Sequence, residues 1–275
     1  MSDTALQASA ISVSFGAVHA LNGVDLTVGE GKLVGLIGPN GAGKTTFIDA
    51  VTGFVPARGS VVLSGRDISA LAPHERARLG LGRTWQTIEL FDDLSVRENL
   101  AVAARRPSIT STIAEIVTGH QPAAEQLAEE ALSLLELDDI AETMPQELSQ
   151  GKKKLVGVAR ALAAKPSLLL LDEPAAGLDT IESHDLGQRL RRVVDGGLSA
   201  LLIDHDMGLV LGICDEVYVL DFGTIIAKGT PEAVRTNPDV LAAYLGTGNV
   251  GERDTQEAAA VALGAQGPEA GGIRQ

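Results

Sequence analysis

The sequence predicts an α/β fold: a mostly parallel sheet, a strand-rich N-terminal part and a helical stretch set into the middle. Three observations predict it. Apolar runs without alternation at Lys32 to Gly38, Leu168 to Leu171 and Ala200 to Ile203 read as strands covered on both faces. Leu186, Leu190, Val193 and Val194 recur at helical spacing between two of those runs. A composition of 45% hydrophobic and 21% charged residues is that of a folded chain, not a disordered one.

Along the chain, Ile11, Val13 and Phe15, then Val24, Leu26 and Val28, alternate at strand period within the first 31 residues. These form the N-terminal β part. The apolar strand from Lys32 runs straight into a glycine-rich turn, and Val61-Val62-Leu63 is a further strand closed by Ser64-Gly65. From about residue 88 to 165 the period becomes helical, including Glu125 to Leu135 and Leu155 to Leu162, which predicts an inserted helical subdomain. Strands return at Leu168 and Ala200. Val217 to Leu220 and Thr224 to Ala227 flank Asp221-Phe222-Gly223 as a hairpin. That triplet matches a kinase motif, but the other kinase elements are absent from the sequence, so it is a turn. Thr230-Pro231-Glu232 and Asn237-Pro238-Asp239 each place a cap, a proline and an acid at a helix start, and Gly246 ends the second helix. From 248 to 275 large apolar side chains are few, which predicts a disordered tail.

Composition narrows the function. The 275 residues suit one or two domains at about 150 residues each. With 22 Lys and Arg against 36 Asp and Glu, the net charge of −14 opposes a nucleic-acid partner. The single cysteine, Cys214, excludes an internal disulfide and a zinc cluster. No apolar run reaches the roughly 18 residues of a membrane span, and the first residues carry no basic leader, so a cytoplasmic protein is expected.

Gly38-Pro39-Asn40-Gly41-Ala42-Gly43-Lys44-Thr45 fits the phosphate-binding pattern G-x-x-x-x-G-K-[ST], between a strand and a helix. Glycines let backbone N–H groups close around phosphate oxygens; Lys44 reaches the β- and γ-phosphates, and the Thr45 hydroxyl sits on Mg²⁺. A loop of this kind needs a distant carboxylate for the metal and a base for water. Asp172-Glu173 ends the Leu168 strand, where open α/β sheets bind ligands, so Asp172 is expected to hold Mg²⁺ and Glu173 to polarise the attacking water. His205 ends a neighbouring strand and is placed for γ-phosphate contact. Arg189, Arg191 and Arg192, and the run Lys152-Lys153-Lys154, read as solvated basic faces. Trp85 reads as a packing residue.

Together these residues resemble an ABC transporter ATPase, a P-loop NTPase with a RecA-like sheet, over residues 6–247. Leu148-Ser149-Gln150-Gly151-Lys152 is similar to the family signature LSGGQ, departing from it at Gln150 and Lys152. Gln86 resembles the Q-loop glutamine, Ala176-Gly177-Leu178-Asp179 the D-loop, and His205 the switch histidine. The resemblance implies ATP and Mg²⁺ as ligands, with Phe15 under the adenine ring and residues 38–46, through Thr46, around the phosphates. It assigns Glu173, His205 and Gln86 to catalysis, and Thr45, Gln86 and Asp172 to the metal. It also implies a head-to-tail dimer in which Ser149 and Gly151 of one copy, with Asp179, close over ATP held by the other.

Arg83-Thr84-Trp85-Gln86, His205-Asp206-Met207 and the segment from Asn237 to Gly246 are similar to the ATPases of branched-chain amino acid importers. Those of urea or short-amide importers and of lipopolysaccharide exporters are related alternatives. The partners so implied are a second ATPase subunit, transmembrane permease subunits and, indirectly, an extracytoplasmic solute-binding protein. The place implied is the cytoplasmic face of the cell membrane. Two readings of other classes carry less. A soluble ABC protein acting on nucleic acid or the ribosome lacks tandem domains here, and a pure ATP sensor would not need both Glu173 and His205.

Overall fold

The computed structural model describes residues 3–85, 89–104 and 122–246. The expectations for Gln86, for the middle of the helical stretch and for the tail beyond residue 246 lie outside the described residues.

Two sheets face one another. The first is antiparallel: β1 (Thr4–Phe15), β2 (Val18–Gly29), β4 (Arg58–Leu63) and β5 (Arg66–Asp67), in the order β2-β1-β4-β5. The second has the order β10-β9-β3-β8-β7-β6. It comprises β3 (Leu33–Ile37), β6 (Leu81–Arg83), β7 (Leu168–Asp172), β8 (Ser199–Ile203), β9 (Glu216–Asp221) and β10 (Thr224–Gly229). Its neighbours pair in parallel except β9 and β10, which form the expected hairpin.

Side chains along β3, β7 and β8 alternate between two apolar layers, which is why the sequence shows unbroken apolar runs there. Leu33, Ile37, Leu169, Leu171 and Leu202 point into a layer filled by helices. Val34, Leu36, Leu168, Leu170, Leu201 and Ile203 point into the other, toward Val24, Leu26 and Val61 of the antiparallel sheet. Helix α1 (Lys44–Thr52) lies in that second layer and buries Phe47, Ile48 and Val51 completely. Burying one such side chain contributes about 1.5–3 kcal/mol. The helix that follows the glycine-rich loop is thereby fixed between both sheets.

Beyond α2 (Pro73–Arg78) and β6, the described chain up to β7 forms helices, short 3₁₀ turns and loops. Helices α3 (Val96–Ala104), α4 (Pro122–Leu134) and α5 (Gln150–Ala163) share a core of Val96, Leu100, Ala128, Leu132, Val156 and Ala159. Asn99 is fully buried here, and its amide bonds Phe91, Leu94 and Ser95, so the loop before α3 is held from inside. After β7 come α6 (Thr180–Asp195) and α7 (Met207–Ile213), and after β10 come α8 (Pro231–Arg235) and α9 (Pro238–Gly246). Thr230 and Asn237 cap the last two as expected.

Three readings need correction. Strand β6 is not among the expected strands; it has only three residues, one of them Gly82, so no periodicity announces it. Arg189 and Arg191 are not a solvated face, whereas Arg192 is exposed as expected. Arg189 bonds Asp185 and the Leu135 carbonyl, Arg191 pairs with Asp195 and Asp215, and Arg192 pairs with Glu136, tying α6 to its surroundings. Lys154, from the lysine run, turns inward and reaches the Glu173 carbonyl at 3.4 Å.

Candidate functional site

The loop 38–43 joins the central strand β3 to α1. Gly38 has φ +154°, and a Cβ there would stand 2.0 Å from the Leu220 carbonyl oxygen, so only glycine lets β9 pass this closely. The Gly223 N–H, from the β9–β10 turn, donates to the Ala42 carbonyl at 2.9 Å and fixes the loop's far side. Gly43, the residue before α1, gives the helix no side-chain cap, and uncapped first-turn N–H groups are donors that an anion can use. Lys44 is only 6% exposed and donates to the carbonyls of Gly38 at 2.6 Å and Pro39 at 3.1 Å. Burial lowers its pKa; Glu173, Asp204 and Asp172 partly offset that. Asn40, Gly41 and Thr45 are exposed at the rim, and Thr46 is half-buried.

Because β8 lies between β3 and β7, the ends of these strands fall within about 10 Å at a spacing of roughly 4.7–4.9 Å per strand. The polar residues collect there. Asp172 is buried at the end of β7, and burial raises its pKa against the opposing pull of Arg83. Glu173 follows with φ +46°, a left-handed conformation that is strained for a non-glycine residue. Its N–H is held by the Ile203 carbonyl at 2.7 Å, which keeps that turn. His205, at the end of β8, brings Nδ1 to 3.9 Å from Glu173 Oε2 and 3.6 Å from Asp204 Oδ1.

Sequence reasoning missed Asp204, Arg83 and Lys154. Asp204 has no exposed surface, and burial pushes its carboxyl pKa up. One oxygen accepts the N–H groups of His205 and Asp206, and the other that of Ala175, so it ties the β8 end to the segment after Glu173. Arg83, on β6, bridges Asp49 of α1 at 2.6 Å and Asp172 at 2.9 Å. Burial lowers the Lys154 pKa, partly offset by Asp204 and Glu173. The one signal in the sequence is placement: each flanks an expected site residue or lies on an adjoining element.

A second group lies at the start of α5. Ser149 is the exposed N-cap, accepting from the Lys152 N–H at 3.3 Å. Gly151 is buried, and a Cβ there would meet Glu182 Oε1 at 2.6 Å, so α6 packs tightly against this turn. Asp179 caps α6, its carboxylate accepting from Ile181 and Glu182 at 2.8 Å each. A cleft of about 280 Å³ lies here, lined among others by Ser149, Gly151, Lys152, Glu182 and Arg189. Phe15 is half-exposed at the end of β1, opposite the exposed Val18 of β2. Trp85 is half-exposed, with Arg83 4.2 Å over its ring and Phe54 edge-on at 5.2 Å.

The chain has consistent similarities to known proteins. Residues 21–176 match the family model described as ABC transporter, and residues 224–249 match that of branched-chain amino acid ATP-binding cassette transporters. The chain is 39% identical over 255 residues to the high-affinity branched-chain amino acid transport ATP-binding protein BraF of Pseudomonas aeruginosa, covering 90% of this chain and 99% of that protein. It is 37% identical over 253 residues to LivG of Escherichia coli, described in the same words, with the same coverage. Its fold is similar to a nucleotide-free ATP-binding cassette from an ABC transporter, with a TM-score of 0.77 and 31% identity, covering 90% of this chain and 100% of that one. An ADP-bound cassette of an ABC transporter gives 0.76 and 32%, covering 88% and 99%.

Proposed function

The chain belongs to the ABC transporter family of ATP-binding cassettes, and on that footing we propose that it hydrolyses ATP to power uptake of branched-chain amino acids. The cassette spans 6–247, with the helical subdomain at about 88–165 and a tail that takes no part in nucleotide binding. Support for the substrate comes from the relatives and from the match of residues 224–249 to the branched-chain amino acid cassettes.

The carrying observation is the convergence of Lys44, Asp172, Glu173 and His205 at the ends of adjacent strands. The loop N–H groups and Lys44 bind the β- and γ-phosphates, Lys44 exchanging the Gly38 and Pro39 carbonyls for phosphate oxygens. Phe15 stacks on the adenine. Hard oxygen donors on Thr45 and on the buried Asp172, with Gln86, suit Mg²⁺, which when bound there would neutralise phosphate charge. Glu173 takes a proton from water as the water oxygen bonds to the γ-phosphorus. The bond from that phosphorus to the bridging oxygen breaks, and its electrons leave with ADP. His205 donates to the γ-phosphate and keeps it oriented.

Ser149 and Gly151 of a second copy, with Asp179 at the rim, complete the site. ATP joins the two copies and hydrolysis releases them, a switch that permease subunits convert into transport. No helix among the described residues is long and apolar enough to cross a membrane. The protein then works from the cytoplasmic face as a peripheral subunit, with a solute-binding protein acting through the permease. The test is uptake by proteoliposomes holding the permease and this subunit. Mg-ATP should drive entry of leucine, isoleucine or valine, and Glu173→Gln should abolish it; transport of urea instead would reassign the substrate.

A further inference from the structure

Arg83 is the group that both joins the nucleotide side of the sheet to the surface and has no part in the hydrolysis chemistry. Its side chain is 7% exposed and meets two carboxylates, Asp49 on α1 and Asp172 at the end of β7. It also reaches the Thr52 hydroxyl at 3.3 Å. The next residue, Thr84, accepts the Asp172 N–H through its Oγ1 at 3.2 Å, so Arg83 and Thr84 together hold Asp172 by side chain and backbone. The other side of the guanidinium lies 4.2 Å over Trp85, the only tryptophan in the chain. Phe54 stands against Trp85, and both rings are half-exposed.

We propose that Arg83 is a positioning residue that couples the charge on Asp172 to the placement of Trp85. This rests on the reading of Asp172 as the metal-side carboxylate. Two anions compete for one cation in a poorly solvated setting, where each attraction is stronger than in water. Drawing charge from Asp172 toward a divalent cation weakens its hold on Arg83, and the guanidinium then favours Asp49 and the ring face. Among the described residues, Arg83 Nε has no hydrogen-bond partner, so the hydrogen bonds that hold the guanidinium are those of its outer nitrogens to Asp49, Thr52 and Asp172. Trp85 directly precedes Gln86 in the sequence. A planar fork over a ring is what Lys cannot reproduce.

The sole tryptophan makes the test direct. In the full chain, Mg-ATP should change Trp85 emission, with nucleotide binding followed independently by radiolabelled ATP. Arg83→Lys should bind nucleotide yet lose the emission change. Asp172→Asn, measured without nucleotide, should shift the emission by relaxing one end of the bridge, which keeps the coupling testable should Arg83→Lys not fold. Bound ATP with unchanged emission in the unaltered chain, an undiminished response in Arg83→Lys, or unshifted emission in Asp172→Asn would each overturn the coupling. Failure of radiolabelled ATP to bind at all would instead overturn the nucleotide reading beneath it.

Discussion

His205 Nδ1 stands 3.9 Å from Glu173 Oε2, across the gap between the ends of β8 and β7. Residues at the end of β8 pin both: the Ile203 carbonyl holds the Glu173 N–H, and Asp204 holds the N–H groups of Ala175 and His205. The proposed base and the proposed γ-phosphate donor are thus set by the same two strand ends.

Replacing Glu173 with Gln keeps the size of the side chain and removes its basicity. Turnover should fall about 10²- to 10⁴-fold, the usual contribution of a general base. ATP binding should persist, and the variant should accumulate as an ATP-stabilised dimer on light scattering. Unchanged steady-state turnover would remove Glu173 from the role.

Lys44→Ala should weaken ATP binding about 10- to 100-fold, the loss of a charged hydrogen bond worth about 1.5–3 kcal/mol. The unaltered protein should also show a pH signature. Burial holds the Lys44 pKa below the usual lysine range, and a bound phosphate restores the charged form. Affinity is therefore full below the lowered value and is lost as pH rises through it, earlier than for an ordinary lysine. Isothermal titration across alkaline pH checks both points.

Asp204→Asn puts an amide nitrogen against an N–H that the carboxylate now accepts. Leaving that donor unpaired in the interior should cost about 1–3 kcal/mol of stability, read as a lower melting temperature. Turnover should drop as well, because Asp204 fixes the backbone of His205. A variant with unaltered melting and rate would show that the three N–H groups find other acceptors.

Ser149→Ala should cost about 1 kcal/mol through loss of the α5 cap, with monomer folding otherwise kept. On the proposed shared site its turnover should fall by more than its stability explains, since that reading gives the exposed Ser149 side chain a contact with the second copy's ATP. Activity that tracks melting temperature alone would make Ser149 a cap and nothing further.

The parallel strands β3, β7 and β8 were legible because each is buried on both faces, and an unbroken apolar run such as Leu168 to Leu171 is the mark such a strand leaves. Caps at Thr230 and Asn237 were legible because capping is local. The loop around Lys44 declared itself through glycines that one conformation requires. What stayed hidden is tertiary. Nothing local marks Arg83 as lying between Asp49 and Asp172, and β6 is too short to show a period. Asp204 looks like an ordinary polar strand end until its burial and three N–H partners are seen. Lys154 sits in a basic run that suggests solvent, yet the helix turns that one lysine toward Glu173.

One triphosphate shared by Lys44 of one copy and Ser149 of another is the arrangement on which the proposed hydrolysis cycle depends. It can be probed by mixing two inactive variants, Lys44→Ala and Ser149→Arg, and measuring ATP turnover. With random pairing about half of the dimers are mixed, each with one whole site, so turnover should return to about a quarter of the unaltered rate. A mixture no more active than either variant alone would place both residues in the same copy's site and rule out the shared triphosphate.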